Sequence, residues 1–520
     1  MERKRFSSWG VGVALGCTLV LFWIALHPAA AWAVPPRPTI RQNVMVNREI
    51  APTRTHDGPS VAVDPMDPSM IVVADVDIQN GHCLTHISRD AGLTWVEGRS
   101  PQPPEFSSCT PQSGNRFSTG PATSLTFDTD GTLYYAFAAA RPGDQDSRSV
   151  LLGRSTNQGQ SWTTSVVHLA SPGFGPAADS SLQPSVMIDD SATPHRIVVS
   201  WSRAIDFTQP NAPPDRVFVA VSTDGGRHFG RPVDLGPGRA PSMAASKGIV
   251  LAFFAQAFVF PPPAKGFKIY QARSTDGGKS FKLSVINPGA VRVSSPRAAV
   301  GPDGSLVITW YDNHLAAPNT VRDDVFAMRS TDQGRSWTRP VAVSPIPTHP
   351  PGKNVNQLYP TIAIAPNGRV DVAWYDYRND PVPIPSDARP SYLGQFADLF
   401  VASSDDGGKT FGPAVRVTDH TIDRRIGTWN GQYFYVVAPG LASSDDAFSV
   451  AWSDTRNGTP DSSAQDIFFT AGLFPKRASG LGLSSRGIVL SIELFGAGVG
   501  ITLIVAAAVL RSRSRRVKAA

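Results

Sequence analysis

One eight-residue pattern, Ser, x, Asp, x, Gly, x, x, aromatic, limits what this chain can fold into, because it recurs along the sequence at intervals of several tens of residues. The copies are Ser88/Asp90/Gly92/Trp95, Ser155/Asn157/Gly159/Trp162, Ser222/Asp224/Gly226/Phe229, Ser274/Asp276/Gly278/Phe281, Ser330/Asp332/Gly334/Trp337 and Ser404/Asp406/Gly408/Phe411. The short Asp or Asn side chain bonds the backbone ahead of it, Gly supplies a φ > 0 conformation, and the aromatic anchors the returning strand. Each copy therefore predicts a β-hairpin turn. With 45 Gly and 46 Pro in 520 residues, modest charge and few helix-like periodic runs, the class is all-β, built from short strands separated by turns.

Aligned on these turns, each unit reads as a strand beginning near a proline, an apolar strand ending in an aromatic, a strand leading into the Ser, and an outer strand. The proline landmarks Pro59, Pro121, Pro184, Pro241, Pro296 and Pro360 give units of about 60 residues. A seventh unit follows. Tyr433 to Gly440 parallels Pro360 to Asn367, Phe448 to Asp454 parallels Val370 to Asp376, and Asp466 to Thr470 resembles Asp398 to Ala402 but meets no such turn. That unit lacks its outer strand, and the strand-like piece Asn43 to Asn47 is positioned to supply it, closing the ring and removing an exposed edge.

The turn is the one called an Asp-box, and the repeat resembles the sialidase-like, bacterial-neuraminidase-repeat β-propellers. The resemblance implies four-stranded antiparallel blades, seven by the count above and six, the number in sialidases proper, as the alternative. It also places Asp90, Asn157, Asp224, Asp276, Asp332 and Asp406 at outer hairpins away from the ligand face, as structural residues.

The ends of the chain carry different signals. Residues 1–33 begin with a basic cluster, continue through an apolar run and end in Ala31-Trp32-Ala33, a secretory signal peptide. Residues 34–474 form the propeller and 475–487 a linker. Residues 488–510 form an apolar run long enough for one transmembrane helix, and 511–520 a basic tail that marks the cytoplasmic side. The expectation is a single-pass protein of the cell membrane with the propeller outside. The formal net charge of +6 sits at the two ends, so the body carries no basic footprint for nucleic acid. Cys83 and Cys109 are the two cysteines of the body, either a disulfide or two thiols. No metal-type Cys/His spacing occurs, no cofactor is expected, and the acidic pairs Asp323-Asp324 and Asp405-Asp406 lack EF-hand spacing for calcium and read as solvated loop acids.

Second-strand ends supply the candidate site: Arg203 after Trp201, Asp312 and His314 after Trp310, Asp376 and Arg378 after Trp374, Asp454 and Arg456 after Trp452. In a propeller they converge on the channel mouth. By the resemblance, a sialidase-like site needs arginines for the substrate carboxylate, for which Arg203, Arg378 and Arg456 are candidates. Asp312, Asp376 and Asp454 are candidate acids, and Tyr359, Tyr375 and Tyr433 candidate tyrosines facing the axis. The family's Arg-Ile-Pro motif is absent, since Arg196-Ile197 and Arg425-Ile426 are followed by Val and Gly. The Asp-x-Arg pair in two successive units favours ion pairs that hold the blades, and the tryptophans favour a core layer. The reading is a glycan-directed, sialidase-like propeller, as a glycoside hydrolase of exo-sialidase type or, alternatively, as a non-catalytic propeller that binds surface proteins or envelope polymers.

Overall fold

The computed structural model describes residues 37–475, except 52, 110–122, 174–178, 205–213, 257–265, 287–292, 314–321, 346–352, 385–393 and 428–437. The expected signal peptide, the expected transmembrane span, His314 and Tyr433 lie outside the described residues. Among those described, no helix is long and apolar enough to cross a membrane.

Among the described residues the strands and their sheets make up the regular structure, in antiparallel sheets that follow one another along the chain. The first unit contains His56–Val63, Ile71–Asp77, His82–Ser88 and Val96–Glu97, hydrogen-bonded in that order. Five further units begin at Ser124–Phe127, Ser180–Asp189, Arg239–Ser246, Arg297–Val300 and Gln357–Ile364, each of four strands, with the short strand Ile422–Asp423 added to the last by pairing with Phe396–Ser404. The second and third are joined by one parallel bridge between Ser180 and Arg148. In the seventh unit, Gly440–Ser443, Ala447–Asp454 and Asp466–Leu473 pair in order. Its outer edge is taken by the N-terminal segment, with Thr39–Ile40 and Val44–Met45 antiparallel to Asp466–Leu473.

Second strands such as Ile71–Asp77 and Val370–Asp376 are buried along their whole length. A short apolar run can be buried on both faces only when a sheet packs on each side of it. Seven hydrophobic clusters provide those contacts, each shared by two successive units. One of them sets Ala451, Ile467 and Phe469 of the seventh unit against Val61, Ile71 and Val73 of the first.

The repeated turns form as their chemistry requires. In the first, Ser88 Oγ donates to Asp90 Oδ1 at 2.8 Å and accepts the Gly92 amide at 2.8 Å, while Asp90 Oδ1 accepts the Leu93 and Thr94 amides. Thr94 Oγ1 donates to Asp90 Oδ2, and these bonds hold the carboxyl down at about 2 despite the opposing cost of burial. The glycine has a second task. A Cβ on Gly92 would lie 2.0 Å from the Phe469 ring, one on Gly278 2.6 Å from Val221 and one on Gly334 2.7 Å from Leu251. Each turn thus seats its glycine on the preceding unit, and the first turn seats on the seventh.

Two further locks fix the start of the chain. Arg54 is bidentate to buried Asp466, Nε to Oδ1 and Nη2 to Oδ2, and Asn47 donates to the same Oδ1. In the first unit, Asp75 is wholly buried between His56 Nδ1 at 2.6 Å and His86 Nε2 at 2.8 Å. The disulfide between Cys83 and Cys109 ties that sheet to the loop after it.

Two outcomes are expected. Gly92→Ala adds a left-handed alanine and a clash with Phe469, costing about 3 kcal/mol. Gly143→Ala, at φ +79° with nothing within 4 Å, costs only about 1 kcal/mol, as chemical denaturation of both will read. For His56, burial alone would lower the pKa, but the Asp75 charge and hydrogen bond outweigh it and raise the value to about 9. A raised folded-state value gives stability that is complete below about 6.5 and is lost as pH rises through about 9. The melting temperature should therefore fall over that interval, and His56→Gln should flatten the fall.

Candidate functional site

Alternating strand direction puts the two ends of the sheets to different uses. The Ser/Asp/Gly turns and the first-to-second-strand turns share one end. There the first strands of the second to fifth units wall a cavity of about 500 Å³, with Lys247 and Asp190 among the lining residues. Near this end the ligand-type atoms of Asp128, Asp130 and His195 lie within 4.8 Å of one another, with His195 Nε2 3.1 Å from Asp130 and Nδ1 2.9 Å from Asp190.

At the other end the first strands are irregular in a repeated way. Register shifts fall between Asp57 and Ser60, Leu182 and Ser185, Arg239 and Ser242, and Leu358 and Thr361. Each contains an Xaa-Pro pair whose first residue has positive φ: Gly58, Gln183, Ala240 and Tyr359. A bulged residue has no ladder partner, so proline's missing N–H costs nothing there. The serines that follow bond the next unit: Ser60 Oγ accepts the Leu125 amide and Ser242 Oγ the Ala298 amide, both at 3.0 Å. Three non-glycine residues are thus held in a strained conformation at one rim.

The second-strand ends at this rim form one clamp, repeated. Asp376 Oδ2 accepts Trp374 Nε1 at 2.9 Å and Arg378 Nη2 at 2.6 Å, while Oδ1 accepts the Arg378 Nε at 2.9 Å. The guanidinium lies over the Phe400 ring, 4.5 Å from its centre, and Phe400 is the cross-strand partner of Trp374. Asp454 accepts Trp452 Nε1 at 2.8 Å and Arg456 Nη2 at 2.7 Å, with Arg456 3.9 Å over Phe468. Trp310 Nε1 donates to Asp312 at 2.6 Å in a third copy, facing Phe326. All three aspartates and all three tryptophans are fully buried. Arg456 also reaches Asp419 and Asn43, and Arg378 reaches Ser344, so the two clamps that carry an arginine close within their units and hook onto a neighbouring segment.

The candidate residues therefore separate. Asp312, Asp376, Asp454, Arg378 and Arg456 are committed to these clamps. Tyr375 is fully buried, and burial, reinforced by the nearby Asp57 charge, raises its phenol well above the usual value. Tyr359 is half-buried at a strained bulge, edge-on to Tyr311 with ring centres 5.5 Å apart. Arg203 stands apart in the third unit with its side chain 46 % exposed. Asp323 and Asp324 are not solvated loop acids. Both are buried, and Arg322 Nε lies 2.7 Å from Asp324, because the strand they open lies beneath the rim. The sequence reading passed over Asp57, which accepts Ser453 Oγ at 2.7 Å across the junction of the seventh and first units, and the His56/Asp75/His86 group. Asp75 and Asp77 stand at the same second-strand end as Asp312 and Asp376, the one signal that marked them.

If Asp454 serves the clamp, Asp454→Ala will strand the Trp452 N–H and one edge of Arg456. It should destabilise the protein by about 3 kcal/mol in denaturant titration. A free catalytic acid at this position would give unchanged stability.

No protein-family model matches the chain, and no curated protein matches it in sequence. Similar solved structures include a protein of unknown function from Dyadobacter fermentans, 17% identical, covering 85% of this chain and 100% of that one with a TM-score of 0.47. The Penicillium chrysogenum α-L-arabinanase complexed with arabinobiose is 14% identical over 74% of this chain and 99% of that one, with a TM-score of 0.42. The endosialidase of phage phi92 is 9% identical over 88% and 71%, with a TM-score of 0.46.

Proposed function

We propose that this chain is a seven-bladed Asp-box β-propeller of sialidase-like type, held outside the cell membrane by its C-terminal helix, that engages a glycan at its channel mouth. The N-terminal strands complete the seventh blade. The observation that carries the glycan reading is the rim opposite the Asp-box turns, where strained, half-buried Tyr359 stands edge-on to Tyr311, both packed against the apolar cluster of the sixth and seventh blades. A half-exposed aromatic suits the apolar faces of a sugar.

Within this reading the geometry favours recognition over sialidase-type hydrolysis. Exo-sialidase chemistry needs arginines turned toward the substrate carboxylate, and Arg378 and Arg456 are turned to their own aspartates. A protein or envelope-polymer ligand at the same mouth is the runner-up.

The test uses the full-length protein in detergent, with glycan binding and fluorogenic sialoside turnover measured side by side. Tyr359→Gly relieves the backbone strain while removing the ring. It should leave folding intact and weaken glycan binding about tenfold. Sialoside turnover that disappears in a folded Arg378→Ala variant would replace this reading with a sialidase.

A further inference from the structure

The third blade departs from the clamp, and the departure exposes a different set of groups. Trp201 stands where Trp310, Trp374 and Trp452 stand, paired across the sheet with Phe218 as they are with Phe326, Phe400 and Phe468. Two residues on, where the other blades place the aspartate that accepts the indole N–H, this blade has Arg203. Trp201 is 1% exposed and its Nε1 has no acceptor among the described residues. Ser181, paired across the sheet with Arg203, is fully buried and its hydroxyl is also unpartnered.

The second blade closes over this place. His168 stacks on Trp201 with ring centres 5.5 Å apart, and its Nε2 lies 3.0 Å from Asp179 Oδ2. Asp179 Oδ1 faces the Nε edge of Arg203 at 3.6 Å, too far for a hydrogen bond. Arg203 therefore differs from Arg378 and Arg456: a carboxylate orients its inner edge, while neither Nη group has a partner among the described residues and the side chain is 46% exposed. On the adjoining bulge Gln183 is held at φ +52°, and its Oε1 is buried without a donor.

We propose that the exposed edge of Arg203, at the junction of the second and third blades, binds the carboxylate of an acidic sugar, of the uronate kind. The ligand carboxylate supplies the acceptor that Asp376 and Asp454 supply within their own blades, taking the Arg203 Nη groups. The Trp201 N–H and Ser181 O–H are further donors beneath. Asp179 Oδ1 and Gln183 Oε1 are the complementary acceptors for sugar hydroxyls. A buried donor set without an acceptor discriminates strongly, because a ligand lacking the carboxylate leaves the same groups unpaired. The inference deepens the glycan reading above and rests on it.

The experiment titrates full-length protein in detergent with tetragalacturonate, its carboxyl-reduced neutral counterpart and a sulfated neutral tetrasaccharide, by calorimetry. Tetragalacturonate should bind, and carboxyl reduction should cost about 30-fold. Arg203→Ala should cost a similar factor, Arg203→Lys less, and Trp201→Phe, which keeps the ring and removes the N–H, about fivefold. Arg216→Ala, whose partner is Asp234, should change nothing. Equal binding by wild type and Arg203→Ala overturns the proposal, as does a sulfated sugar bound as tightly as the uronate. Binding of the neutral sugar alone overturns this inference and leaves the glycan reading standing. Binding of none of the three by folded wild type overturns both.

Discussion

The contact on which the architecture depends is a glycine resting on a neighbour's side chain. In each repeated turn the Ser and Asp side chains bind the backbone so that the glycine points, without a Cβ, at the unit before it. Gly226 meets Leu152, Gly278 meets Val221, Gly334 meets Leu251, and Gly92 meets Phe469. A local motif therefore sets a long-range spacing. The distance between sheets follows from how closely a bare backbone can approach a side chain, and repetition turns that pairwise fit into a succession that returns to its start. The side-chain layers between units then pack at the spacing the turns allow.

Closure relies on a different chemistry. The seventh unit has no Ser/Asp/Gly turn of its own, and its outer strand comes from the far end of the chain. Backbone pairing along Thr39–Ile40 and Val44–Met45 is short, so polar locks reinforce it. Arg54 and Asn47 converge on Asp466, and Arg456 reaches Asn43. Buried, specific ion pairs fix register better than they add stability, and register is what a two-residue strand needs.

Much of this architecture was legible in the sequence because it is periodic. The turn signature, the proline landmarks and the tryptophan at four of the second-strand ends are local signals that recur, and repetition separates them from chance. The strand near Val44 was legible as the missing member of an incomplete unit. The site was far less so. Asp376 and Arg378 read equally well as a catalytic acid with a substrate-binding arginine and as a clamp, because nothing local says whether the arginine turns back two residues or out into the mouth. That choice is made by Phe400, a cross-strand ring that stacks on the guanidinium and holds it down. Asp323 and Asp324 looked like loop acids because burial beneath the rim depends on the neighbouring unit. The group around Asp75 joins residues from three strands of the first unit, and their meeting is a matter of strand register that the repeat pattern does not show.

The same logic locates function where repetition fails. A residue that recurs at one position in several units answers a demand that every unit shares, and the Trp/Asp pair in the fifth, sixth and seventh units, joined by Arg in the last two, answers the need to satisfy an indole N–H at a sheet end. The third unit keeps the tryptophan and its cross-strand phenylalanine but drops the aspartate, and it accepts unpaired buried groups in consequence. Local rules broken without an internal gain are the expected mark of a functional position. Tyr359 fits the same description on the backbone side, since a tyrosine at positive φ before proline gains nothing that glycine would not provide better. The two breaches lie at the same rim, among the repeated clamps, where each stands out against a neighbour that keeps the rule, and the Ser/Asp/Gly turns lie at the other end of the strands.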